Sequence, residues 1–221
     1  MTAPPLQRAQ ACRDAPLSVA AAGERRMSPT VLQTVRLADA EPQPWRNGGG
    51  VTQELLAWPN VSDWQCRISV ARIDQNGPFS AFPGVERWFT VLSGEGVVLR
   101  FGKRRTMLTA GSEPLRFEGA SAPGCDLLDG PTQDLNLMLR SDAGRGAMRG
   151  ARAGVPWHSD APLRAVFVLD DCQLQTDQQP PQSLPAGTLA WGEQAAGQSW
   201  LLTAAPPDMR AWWLHFKPPN H

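Results

Sequence analysis

The chain has 221 residues, 42% of them hydrophobic and 19% charged, long enough to bury a self-sufficient core without disulfides or a structural metal. Its 21 Lys+Arg balance its 21 Asp+Glu, so no net field steers it toward nucleic acid or an anionic membrane surface. The scattered cysteines Cys12, Cys66, Cys125 and Cys172 form no CxxC pair, which excludes a thiolate zinc knuckle and a dense disulfide framework and points to free thiols in a reducing cytoplasm. No run of about 20 apolar residues reads as a membrane span. Residues 1–28, rich in Ala, Pro and Arg without a sustained period, are expected to form a disordered extension. Within them "APLSVAAAG" (Ala15–Gly23) is too weakly apolar for a secretion signal and is followed by Arg25 and Arg26, and Met27 is a candidate start.

From Val31 onward, short apolar or alternating runs between Gly, Pro and Asp turns predict an all-β protein. The predicted strands are Thr30–Leu37, Gly50–Trp58, Trp64–Ile73, Arg87–Gly94, Gly96–Gly102, Arg104–Gly111, Glu113–Gly119, Cys125–Gly130 and Thr132–Ser141, and no stretch carries a useful helix period. "SGEG" (Ser93–Gly96) is a hairpin turn. The polar passage "SDAGRGAMRGARAG" (Ser141–Gly154) divides the chain, and a second β series follows at Arg164–Asp171, "CQLQTD", Gly187–Gly192, Ser199–Ala204 and Met209–Phe216. The expected organisation is two β units, 29–145 and a smaller 146–221, with an interrupted single sandwich as the alternative. Trp157, Trp191, Trp200, Trp212 and Trp213 fall in the second unit, where they fill a small barrel or an interface. A stacking platform is a second use for them, although the lack of a basic patch argues against nucleic acid.

"WFTVLSGEGVVL" followed by "LTAGSEPLRFEG" resembles the cupin pattern, in which a hairpin and a glycine corner enclose a small jelly-roll barrel. The blocks "PWRNGGGVTQEL", "WQCRISVARIDQNGPFSAFPGVERWFTVLSGEG" and "GPTQDLNLMLR", in that order from about Leu37 to about Arg149, resemble the HutD/Ves family. The resemblance implies a bacterial, cytoplasmic bicupin, all-β, with two jelly-roll-like β-barrel units of unequal size. It implies an association with histidine utilisation and a small-ligand-binding or regulatory role, without established catalytic residues.

Many cupins hold a metal with two His, a Glu and a later His. Here "GPFSAFPGVERWF" offers Glu86 without a histidine, and His158, His215 and His221 all lie past the first unit. His215, in "WWLHF", reads as a core or barrel-wall histidine. No metal and no cofactor are expected.

The two-residue strand period places Thr52 and Glu54 on one face, Gln65, Arg67 and Ser69 on another, and Asp134, Asn136 and Met138 on a third. Polar-out is the plain reading of such strands; a cupin lumen that holds a ligand is the other. In that second reading Arg67, Ser69 and Asn136 bind a ligand carboxylate. Glu54 and Asp134 then accept from a ligand amide or ammonium group, or neutralise Arg67. In "GPFSAFPG", Phe79 and Phe82 either plug a barrel end or form an apolar lip with Ser80 as a donor, and Arg87 is either a second cation or half of a surface salt bridge.

The three glycines of "PWRNGGG" suggest a phosphate loop, but such a loop needs a helix N-terminus after it, and "VTQELLAW" reads as a strand. They are read instead as a turn leading Thr52 and Glu54 into the barrel, with Asn47 in a left-handed conformation and donating to a ligand, and Trp45 over the opening. No G-x-S-x-G elbow occurs, and Cys66 alternates onto an apolar face, which makes it inert.

The resulting expectation is a metal-free protein that binds a small carboxylate metabolite and acts in a regulatory role in histidine utilisation. The alternatives are a metal-independent isomerase or hydrolase using Glu54 or Asp134 as acid/base, and an interaction protein whose polar strands are only solvated. Expected partners are the small ligand, with neither nucleic acid nor membrane; a homodimer stays open.

Overall fold

The computed structural model describes residues 32–177, 179–193, 198–206 and 208–219; residues 1–28, expected to be an extension, lie outside them. In chain order its first strands are β1 (Gln33–Arg36), β2 (Pro42–Pro44), β3 (Gly50–Trp58), β4 (Cys66–Ile73), β5 (Gly77–Pro78), β6 (Val85–Ser93), β7 (Val97–Phe101), β8 (Arg104–Leu108), β9 (Leu115–Glu118), β10 (Gly124–Leu127) and β11 (Thr132–Arg140). There follow β12 (Arg145–Gly150), β13 (Trp157–His158), β14 (Leu163–Val168), β15 (Cys172–Thr176), β16 (Gln179–Leu184), β17 (Thr188–Glu193), β18 (Ser199–Thr203) and β19 (Ala211–Lys217).

These strands form two sandwiches. The first packs a six-stranded sheet, ordered β2-β3-β4-β11-β6-β9, against a four-stranded one, β5-β10-β7-β8. Ile73, Phe89, Val91, Val97, Leu99 and Cys125 fill the space between them. The second packs β1-β17-β14-β19-β12 against β13-β18-β15-β16, around Val166, Leu174, Trp200, Leu202 and Trp213. Trp157 lies flat on Trp213 at 4.8 Å between ring centroids, so the tryptophans of this unit are filling material.

A third apolar cluster joins the two units. Leu55, Ile68, Val70, Leu135 and Leu137 of the six-stranded sheet meet Leu163, Phe167, Trp212, Leu214 and Phe216 of the five-stranded one. Both faces of the six-stranded sheet are therefore covered. In β4 and β11 the continuous apolar face (Cys66, Ile68, Val70; Leu135, Leu137, Leu139) is turned to the second unit. The polar face is turned into the first sandwich. Register fixes this assignment, because a one-residue slip would exchange the faces. Along β3 a shift between Glu54 and Leu56 lets Leu55 and Leu56 both join the apolar cluster.

Three expectations from the sequence are corrected. β1, placed in the 29–145 unit, pairs with β17 and so extends the sheet of the second unit. The dividing passage Ser141–Gly154 contains β12, paired along its length with β19. β16, "QPPQSL", was not expected as a strand; Pro180 and Pro181 are tolerated because it is the outer strand of its sheet.

Candidate ligand-binding site

The site begins at the turn before β3. Gly48 has φ +69°, a conformation suited to glycine, and a Cβ at Gly50 would lie 2.2 Å from the Arg72 carbonyl oxygen. Asn47 is not the left-handed residue; its Oδ1 accepts from the Gly49 N–H at 3.1 Å, closing an Asx turn that leaves Gly48 the positive φ. The turn closes with Trp45 N–H donating to Gly50 O at 2.9 Å. The Trp45 indole then donates to Thr52 Oγ at 2.8 Å, which fixes the ring beside the first inward residue of β3.

Behind this turn the first sandwich holds a cavity of about 470 Å³. Nine sequence-predicted residues lie on its wall: Trp45, Asn47, Thr52, Arg67, Ser69, Phe79, Ser80, Phe82 and Asn136. They come from β3, β4, β11 and two loops, brought together because the polar faces of three neighbouring strands share one side of one sheet. Two expected residues are not on the wall. Glu54 pairs with Arg67, Oε2 to Nε at 2.5 Å. Asp134 is fully buried, with Thr132 Oγ donating to Oδ2 at 2.8 Å and no partner on Oδ1. Burial is the main cause that raises its carboxyl to about 7, the Thr132 hydroxyl opposing it.

The residue left undecided in the sequence, Arg87, is the most deeply placed charge of the cavity. It is 7% exposed, and its Nη2 donates to Asn136 Oδ1 at 2.8 Å. The guanidinium lies over Phe79, Phe82 and Phe117, 4.9, 5.7 and 5.2 Å from their centroids. Its Nε has no partner, and among the described residues no carboxylate pairs with it. Burial first, and the Arg67 charge second, lower its pKa to about 10. It is not a surface salt bridge. Its place was readable from the alternation Val85, Arg87, Phe89, Val91, all of them buried.

A cupin-type metal set does not fit this cavity. The guanidinium groups of Arg46, Arg67 and Arg87 repel a divalent cation, the nearby Glu54 is held by Arg67, and among the described residues no cluster of three His, Cys, Asp or Glu could hold one. Burial pushes the Cys66 thiol far up and, with neighbouring acids, the Cys125 and Cys172 thiols to about 12 and about 11, so none is poised as a nucleophile. His215 is packed on Trp157 in the second unit, and burial lowers its pKa. Among the described residues no helix is long and apolar enough to cross a membrane.

The HutD family model matches residues 37–208, past the first unit and through most of the second. The chain belongs to the HutD family. Protein Ves from Citrobacter koseri is 38% identical over 145 residues, covering 61% of this chain and 74% of Ves. An uncharacterised 21.2 kDa protein in the hutC 3' region of Pseudomonas putida is 35% identical over 109 residues, 48% of this chain and 57% of that protein. The structure of HutD from Pseudomonas fluorescens superposes with a TM-score of 0.75 at 25% identity, covering 86% of this HutD-family chain and 100% of the other. A glyoxylate-induced protein from Pseudomonas aeruginosa, at TM-score 0.65 and 11% identity over 91% of this chain and 93% of that one, shares the fold alone, that of the cupins.

Proposed function

We propose that this HutD-family protein binds a small carboxylate-bearing metabolite in the first-unit cavity and serves histidine utilisation as a binding, regulatory component. The observation that carries the reading is Arg87, a desolvated cation on a cavity wall whose protein partners are an amide oxygen and three aromatic faces. A buried charge without a counter-charge is costly, and an anion that enters the cavity removes that cost. Asn136 Oδ1 accepts from Arg87, and its amide nitrogen makes one long contact, 3.5 Å, to the Asp134 carbonyl, which leaves a second N–H for a ligand; Ser69 and Arg67 stand on the same wall. The hutC 3' region that encodes the Pseudomonas putida relative supports the metabolic setting. The acid/base alternative has less support, since Glu54 is spent on Arg67 and Asp134 is fully buried and does not line the cavity.

Thermal shift against short carboxylates and the intermediates of histidine breakdown tests the proposal. The expected result is saturable stabilisation that grows with ligand concentration relative to Kd. Arg87→Met, which fills the aromatic cage without charge, should weaken binding at least about tenfold, as loss of a charge-assisted contact does. No shift with any carboxylate would overturn the reading, and turnover of an intermediate would replace it with the enzyme.

A further inference from the structure

Three arginines line the cavity; Arg46 is exposed on the turn before β3, and the two inner ones, Arg67 and Arg87, are held by opposite chemistry. Arg67 gives its Nε to Glu54, and among the described residues neither of its terminal amino groups has a hydrogen bond. Arg67 lines the cavity and Glu54 does not, and the carboxylate offsets the guanidinium's charge through its contact at Nε. Arg87 is held by aromatic faces, which attract a cation without cancelling its charge. Both are register neighbours of Met138, on the strands either side of β11, so one flank of this row keeps its full positive charge and the other has strong donors whose charge Glu54 offsets.

Resting on the carboxylate-binding reading, we infer that Glu54 sets the specificity of the site: the ligand's carboxylate docks at Arg87 and Asn136, and an uncharged oxygen, of an amide or carbonyl group, docks at Arg67. A guanidinium held at Nε presents its two terminal nitrogens as a fixed fork. A neutral oxygen accepts from that fork at no electrostatic cost. A second carboxylate there brings its negative charge to within a guanidinium's width of Glu54, in a partly desolvated wall where bulk water screens the repulsion poorly. Glu54 acts against the wrong ligand without touching the right one. The ligand class is a monocarboxylate with a neutral hydrogen-bonding head, and diacids are disfavoured.

Isothermal titration calorimetry of the full chain with two matched pairs, succinamate against succinate and glutaramate against glutarate, tests this. The wild type should bind each half-amide about fivefold or more tightly than its diacid, a ratio within reach of one poorly screened charge pair. Glu54→Gln keeps the shape and removes the charge; it should bring the ratio within about twofold, chiefly by tightening the diacid. A wild-type preference for diacids, or a ratio that Glu54→Gln leaves unmoved, overturns the inference while carboxylate binding stands. Should Glu54→Gln fail to fold by circular dichroism, the wild-type ratio decides alone. Absence of binding by all four probes to the wild type would overturn the carboxylate reading, and this one with it.

Discussion

Asp134 is the residue whose chemistry departs furthest from its ordinary behaviour. The carboxyl titrates near 3.8 when solvated and is raised to about 7 by burial in the first unit. The folded state therefore holds the proton more tightly than the unfolded chain, so stability is greatest at low pH for this group and falls as pH rises from about 4 to about 7. The fall is roughly 1.4 kcal/mol per pH unit at its steepest and about 4 kcal/mol in all as an upper bound. Asp134→Asn should remove that slope and exceed the wild type in stability at pH 8, as measured by urea unfolding across pH. Equal slopes in the two proteins would show that the carboxyl is not titrating there. Arg87 and Asp134 lie on inward faces of neighbouring strands, and each keeps one buried polar atom without a partner, at a cost in stability.

At the scale of elements, β3 and its preceding turn depend on close approach of two backbones. Gly50→Ala would put a Cβ against the Arg72 carbonyl at 2.2 Å, where no flexible side chain can yield. It should cost about 2 kcal/mol or more, as overpacking does, and also weaken ligand binding by shifting Thr52. Gly111→Ala, with nothing within 4 Å, is the control and should leave the melting temperature nearly unchanged. The strands β4 and β11, and β3 up to its shift at Glu54, were legible because their alternation is regular, and the wall positions Thr52, Arg67, Ser69 and Asn136 were legible with them. Two things were not. β2 and β16 carry prolines that contradict strand chemistry and survive only at sheet edges, a position set by tertiary structure. β1 pairs Gln33 with Trp191 across most of the chain, and no local pattern announces so distant a partner. Alternation also showed that one face of each strand is apolar and one polar, but not which one faces the lumen. That depended on the second unit covering the apolar face.

For the whole molecule, the apolar cluster between the six- and five-stranded sheets decides how the units unfold. Leu137 is fully buried there, and Leu137→Ala should cost about 2–5 kcal/mol. Arg210 Nη1 also crosses the junction to Leu92 O at 2.9 Å, and Trp58 Nε1 to Glu193 Oε1 at 3.0 Å. With so much buried area shared, scanning calorimetry of the wild type should show one transition, its calorimetric and van't Hoff enthalpies equal. Leu137→Ala should lower that single transition, and a split into two would show units that unfold separately.

The doubly covered sheet has a further consequence, for how such a molecule can change. Along β4 and β11, neighbouring positions answer to different masters: Arg67, Ser69 and Asn136 to the cavity, Ile68, Leu135 and Leu137 to the joint between the units. A library confined to Arg67, Ser69, Arg87 and Asn136 could alter what is recognised and leave every residue of that joint untouched. New ligand preferences could then accumulate by single substitutions on one side of a wall whose other side keeps the molecule in one piece.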